Sequence, residues 1–195
     1  MMDKQPLRFL ALTVCTFLII RGISIQKLEF FLYLTHWTLL AKTLTFLCFF
    51  RELGSENFRK VLLSISWTMG LNVTILYWAY AYPLTASPDF ELWHLILTHG
   101  GVFLFLIPEL ISSTITFVNK DFLGPACISA VYMFCVVIPS AYLGVIIYPG
   151  LTFTNLLSYI VVIANFCVSF GAFSIGKHIC QKFMKSPKEL SKKLE

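Results

Sequence analysis

The chain has 195 residues, 57% hydrophobic and 16% aromatic, with only 13% charged. That balance is too apolar for a water-soluble domain and matches a multispanning membrane protein. The net charge of +5 does not point to nucleic acid, because six lysines lie between Lys177 and Lys193, and a basic segment beside a membrane helix marks the cytoplasmic side and anionic lipid.

Six cysteines, at 15, 48, 127, 135, 167 and 180, fall in or at the ends of apolar stretches without CxxC spacing. They read as small core residues, with neither a disulfide framework nor a metal site, and no cofactor is implied. At the N-terminus, Lys4 and Arg8 precede an apolar run from Phe9 to Ile20. Arg21-Gly22-Ile23-Ser24 is a poor cleavage site, so residues 7–25 are taken as a first span rather than a signal peptide. A second span covers 28–50. Its Thr35, Thr38, Lys42 and Thr45 are spaced by three and four, which puts them on one helical stripe turned toward neighbouring helices.

Residues 51–60 (RELGSENFRK) form a charged loop before a third span, 61–82. That span carries Asn72 and ends in Tyr77, Trp78, Tyr80 and Tyr82, an aromatic cluster of the kind found at headgroup level. Asn72-Val73-Thr74 matches a glycosylation acceptor but lies within a span, where it would stay unmodified. The loop 83–91 holds two acids and no Lys or Arg. The fourth span, 93–117, contains His99 and Glu109, titratable groups that are costly in hydrocarbon and therefore call for a partner or a function. Its Gly100-Gly101 pair permits close backbone approach or a bend. The turn 119–122 leads to a fifth span, 123–147, where Pro139 is expected to kink the helix and Ser140 to meet freed backbone groups. Tyr148-Pro149-Gly150 is a tight turn before the sixth span, 151–175, and residues 177–195 form a basic tail.

The expected architecture is therefore all-α: a single six-helix transmembrane bundle over residues 1–176 with both termini cytoplasmic. That orientation gathers Lys4, Arg8, Arg51, Arg59, Lys60, Lys120 and the six tail lysines on one face, against Arg21 and Lys27 on the other. Helical rise converts positions to depths: Thr35 at ~10 Å and Lys42 at ~21 Å from the far face, His99 at ~9 Å and Glu109 at ~24 Å. The lower pair is expected to join as an intramembrane ion pair between the second and fourth spans. An ion or proton path through it is the transporter alternative.

At the upper level, a threonine hydroxyl near an imidazole has the parts of an activated nucleophile, placed where it would meet lipid esters rather than water-soluble substrates. Spacing alone better suits a Thr35 bonded back to its own helix and a His99 donating to a carbonyl.

A resemblance favours the nucleophile. Leu34-Thr35, the run Tyr77-Trp78-Ala79-Tyr80-Ala81-Tyr82-Pro83, Trp93 with Thr98-His99-Gly100, and Tyr148-Pro149 occur in the order and spacing of one family. From about residue 30 to 175 the chain resembles the androgen-induced and androgen-dependent TFPI-regulating membrane proteins. These are known as threonine hydrolases of fatty acid esters of hydroxy fatty acids. The resemblance implies Thr35 as nucleophile. The family pattern His-Gly-x-His places its catalytic imidazole where this chain has Val102, and an asparagine where it has Thr98. Valine cannot accept a proton, so the base falls to His99, one turn away, with His36 as another imidazole on a different face. Proteins of the rolling-stone type carry a similar His-Gly stretch. The expected function is a lipid ester hydrolase using Thr35 and His99, with membrane lipids or fatty acid esters as substrate or ligand. The alternatives are a catalytically silent lipid- or partner-binding member and a transporter or channel component. The ending Lys192-Lys193-Leu194-Glu195 resembles a dilysine retrieval signal of endoplasmic-reticulum membrane proteins.

Overall fold

A computed structural model describes residues 4–84, 91–112, 115–148 and 151–183. The dilysine sequence lies outside them. Among the described residues the chain is all-α, with six principal helices. Helix α1, Gln5–Gln26, starts with Pro6 in its first turn, where the missing N–H costs nothing. It stops at Lys27, whose φ of 52° is left-handed. A 3-10 segment, Lys27–Leu32, and an extended Tyr33 (φ −103°, ψ 129°) lead into α2, Leu34–Phe50. The second expected span thus divides, because its first residues form this separate turn and only 17 belong to the helix.

Helix α3, Glu56–Leu76, is capped by Ser55, whose side chain accepts a hydrogen bond from the Phe58 N–H. It continues through a π turn, Tyr77–Ala81. Helix α4 is assembled from Leu92–Ile96, a π turn Leu97–Gly101, Val102–Leu104 and Leu106–Ser112. It stops short of the expected residue 117, and 115–118 turn back toward a 3-10 segment, Asn119–Phe122. Helix α5 comprises Leu123–Tyr132, a π turn Met133–Val137, and Ile138–Tyr142. The π turn precedes Pro139, which has no N–H to continue the ladder, and the helix ends five residues before the expected 147. Helix α6 runs from Leu156 to Phe183. Lys177 and Lys182 are therefore helical rather than part of a tail, since Gly176 alone is too weak a breaker.

Five helical segments are long and apolar enough to cross a membrane, and Leu34–Phe50 is a shorter apolar helix. Helices α3 and α4 are central: 56% and 50% of their most apolar windows are buried, against 22% for α1, α5 and α6. The outer helices turn Phe9, Phe17, Ile20, Phe134, Leu156, Ile163 and Phe170 outward. So broad an apolar exterior suits lipid rather than water.

Small and polar residues join the helices where packing is closest, as in bundles without a hydrophobic driving force between helices. Trp67 Nε1 donates to the Ala172 carbonyl at 2.8 Å, and a Cβ on Gly176 would collide with that indole. Thr45 Oγ1 meets Ser66 Oγ at 2.8 Å, and Asn72 Nδ2 donates to Asn165 Oδ1 at 2.7 Å. The polar stripe of α2 faces inward as its spacing requires, with Thr35, Thr38, Lys42 and Thr45 all buried.

Candidate active site

The start of α2 is pinned from several sides, and that fixes Thr35, its second residue. The Tyr33 carbonyl accepts from the His36 N–H at 3.0 Å. Tyr148 Oη, arriving from the segment between α5 and α6, accepts from the Leu34 N–H at 2.9 Å. Tyr132 Oη donates to the Leu32 carbonyl at 2.5 Å and lies 3.2 Å from Tyr148 Oη. Trp37 Nε1 donates to the Phe31 carbonyl at 2.8 Å. His36 stacks on Phe30, with ring centroids 3.9 Å apart, and its Nδ1 donates to the Phe30 carbonyl at 2.7 Å. These bonds satisfy N–H groups and carbonyls that an interrupted helix would leave bare inside an apolar bundle.

Thr35 Oγ1 lies 3.4 Å from His99 Nδ1, and both residues are buried. His99 sits in the π turn of α4, and its ring lies flat against that of Tyr77, centroids 3.2 Å apart and planes within 2°. Tyr77 opens the π turn of α3. The glycine pair beside His99 is used for the bend more than for contact: a Cβ on Gly100 would meet Thr74 and Trp78 only at an ordinary 3.8 Å, and one on Gly101 would meet its own helix.

Beside Thr35 lies a cavity of about 80 Å³, walled mainly by apolar side chains. Tyr77, Tyr80, Tyr132 and Tyr148 line it, with Thr35, Ser129 and Asn165 as further polar contributors; Met133 and Val137 come from the π turn of α5. The Thr35 side chain thus borders the cavity on one side and reaches His99 on the other. All three π turns meet at this one place, and such insertions concentrate at functional sites. Ser129 Oγ is buried here with no hydrogen-bond partner among the described residues.

The sequence expectations fare unequally. Thr35 and His99 are brought together. His36, the other imidazole near Thr35, is committed through Nδ1 to Phe30 and serves to tie the 3-10 segment to α2. Val102, at the family's imidazole position, is fully buried in the apolar core. The expected Lys42–Glu109 ion pair is not formed. Glu109 takes a two-pronged contact from Arg8, Nε to Oε1 at 2.6 Å and Nη2 to Oε2 at 2.9 Å, with Lys4 Nζ at 3.7 Å. Lys42 is equally buried but points at Gly70 and Phe103, with no carboxylate in ion-pairing range among the described residues. Equal depth places two groups at one level without setting their direction around the helix axes, and the guanidinium fork matches a carboxylate better than an ammonium does. The aromatic run expected at headgroup level is divided: Tyr77 turns in to His99 and Tyr80 to the cavity.

Tyr77 was not legible as a site residue, because the π turn it opens advances the register by a residue; Tyr132 and Tyr148 were not, because their hydroxyls reach Leu32 and Leu34 across helices, which no spacing within one segment reports. Among the described residues no three His, Cys, Asp or Glu side chains converge to hold a metal ion. No family model, curated protein or solved structure matches the chain.

Proposed function

We propose that the protein is a membrane-embedded threonine hydrolase of lipid esters, with Thr35 as nucleophile and His99 as base. The observation that carries this reading is the buried approach of Thr35 Oγ1 to His99 Nδ1, 3.4 Å apart, at the edge of an apolar cavity. With Nδ1 unprotonated, His99 takes the Thr35 proton as the oxygen attacks the acyl carbon of an ester whose carbonyl end enters the cavity, the acyl chain extending beyond it. The tetrahedral intermediate collapses to an acyl-threonine, and the alcohol leaves with the proton returned from His99. Water, deprotonated by the same imidazole, then releases the fatty acid. Hydrogen-bonding distances in an empty site commonly shorten when substrate is bound. Among the described residues no carboxylate is paired with the imidazole; the Tyr77 ring orients it by stacking. Thr35 is the second residue of α2, where the helix dipole favours negative charge, as an oxyanion requires.

The membrane setting belongs to the same proposal: six crossings, both termini cytoplasmic, in the endoplasmic reticulum or another endomembrane. It is supported by the collection of Lys4, Arg8, Arg51, Arg59, Lys60, Lys120, Lys177 and Lys182 toward one end of the bundle, with Arg21 and Lys27 toward the other. A serine/threonine-hydrolase probe tests the chemistry. Labelling of the purified protein should vanish in Thr35→Ala and persist in Thr38→Ala, whose hydroxyl bonds back to the Leu34 carbonyl. Loss of a general base should lower hydrolysis of a long-chain ester in His99→Ala by about 10²–10⁴-fold. Label that survives Thr35→Ala would leave the cavity as a lipid-binding site without catalysis.

A further inference from the structure

A second concavity lies away from Thr35, between the last turns of α6 and the 3-10 segment Asn119–Phe122. It is a groove of about 480 Å³ whose floor is aromatic: Phe122 packs on Phe170 and Phe173, with ring centroids 5.5 and 5.3 Å away. Phe170 is more than half exposed, so this floor is continuous with the outward apolar face of α6. The rim is of the opposite character, formed by Lys177, His178, Gln181 and Asn119. Lys177 Nζ donates to Asn119 Oδ1 at 2.6 Å, which holds the ammonium over the mouth while leaving N–H donors to spare.

No described carboxylate forms an ion pair with Lys177. The acid nearest in the fold, Asp121, is buried and committed, its Oδ2 3.0 Å from Lys60 Nζ and accepting from the Val118 N–H at 2.7 Å. The groove therefore pairs an apolar track with a cationic lip that no described carboxylate compensates, at the end of the bundle where basic residues gather.

We propose that this groove holds an anionic phospholipid, its phosphate and acidic headgroup against Lys177, His178 and Gln181 and an acyl chain along Phe122, Phe170 and Phe173. A soluble anion would leave the aromatic floor unused. A neutral lipid would leave the lip without a counter-charge. Juxtamembrane cations attract acidic headgroups by about five-fold per charge, and basic recesses between helices are known headgroup sites.

The test is native mass spectrometry of the full chain released from detergent with equal phosphatidylserine and phosphatidylcholine of matched acyl chains. The wild-type protein should retain phosphatidylserine over phosphatidylcholine by about five-fold or more. Lys177→Ser with His178→Ser should lower that ratio about five-fold. Lys182→Ser removes a charge from the same helix outside the groove and should leave the preference intact, as should Lys177→Arg, which keeps a donor to Asn119. The basic tail is common to all variants. Equal retention by the wild type, an unchanged ratio in the double variant, or an equal loss in Lys182→Ser would overturn the site. So would full displacement of the lipid by millimolar glycerophosphoserine, which would make it a plain anion site.

Discussion

At residue scale the arrangement rests on which atoms are free to react. Thr38 and Thr45 sit on the same stripe as Thr35, yet Thr38 spends its hydroxyl on the Leu34 carbonyl and Thr45 on the Ala41 carbonyl and Ser66. Thr35 instead offers its oxygen to an imidazole. The ring behind that imidazole is the next thing to test. Tyr77→Phe keeps the stacked face and should retain most activity, whereas Tyr77→Leu removes an aromatic contact of about 0.5–1.5 kcal/mol. If the stack orients His99, Tyr77→Leu should lower kcat more than it raises KM for a long-chain ester; equal losses in Phe and Leu would assign the role to the phenol hydroxyl instead. Val102 gives a contrasting case. It lies in dry core, so Val102→His should not install the missing family imidazole as a second base. It should cost about 1–3 kcal/mol of stability, read as a lower thermal midpoint in detergent.

At the scale of elements, the helices and the inward face of α2 were legible in the sequence because hydropathy and a three-to-four spacing report length and azimuth within one helix. Depth put Thr35 and His99 at one level, but that they face each other was expected only from the resemblance, since depth leaves azimuth open. Partnerships across helices were not legible: whether Glu109 meets Lys42 or Arg8 depends on how α1 leans against α4. The three π turns, by shifting register about 100° per inserted residue, hide the inward turn of Tyr77 from any periodic reading. The observed pairing predicts opposite fates for two buried charges. Glu109 joins α4 to α1 through Arg8, which also donates to the Phe49 carbonyl at the end of α2. Glu109→Ala should therefore strand the guanidinium and cost about 3–5 kcal/mol. Lys42 has no acidic partner among the described residues, and Lys42→Met fills the same volume without a buried charge, so its thermal midpoint in detergent should equal or exceed that of the wild type. A large loss in both variants would restore the Lys42–Glu109 pair.

For the whole molecule, the weakest crossing decides the topology. Helix α2 has 17 residues, about 26 Å of rise against a hydrocarbon core of about 30 Å. In the proposed topology it can be short because it does not begin at the surface. The six residues of the 3-10 segment precede it, and Tyr148, Tyr132 and His36 satisfy the backbone where the chain re-enters a helix. The Arg8 contacts with Phe49 and Glu109, and the approach of Cys180 Sγ to the Leu110 carbonyl at 3.8 Å, bring the start of α1, the ends of α2 and α4, and the end of α6 to one side. The proposed six crossings agree with that arrangement, and in that proposal α2 supplies one of them. Epitope tags fused to the two termini should therefore both bind antibody when only the plasma membrane is permeabilised. A tag that becomes visible only after full permeabilisation would mean five crossings, with α2 lying on one side of the bilayer. Thr35 would then no longer stand at the depth of an ester buried among acyl chains, and the hydrolase proposal would lose its substrate's route to the nucleophile.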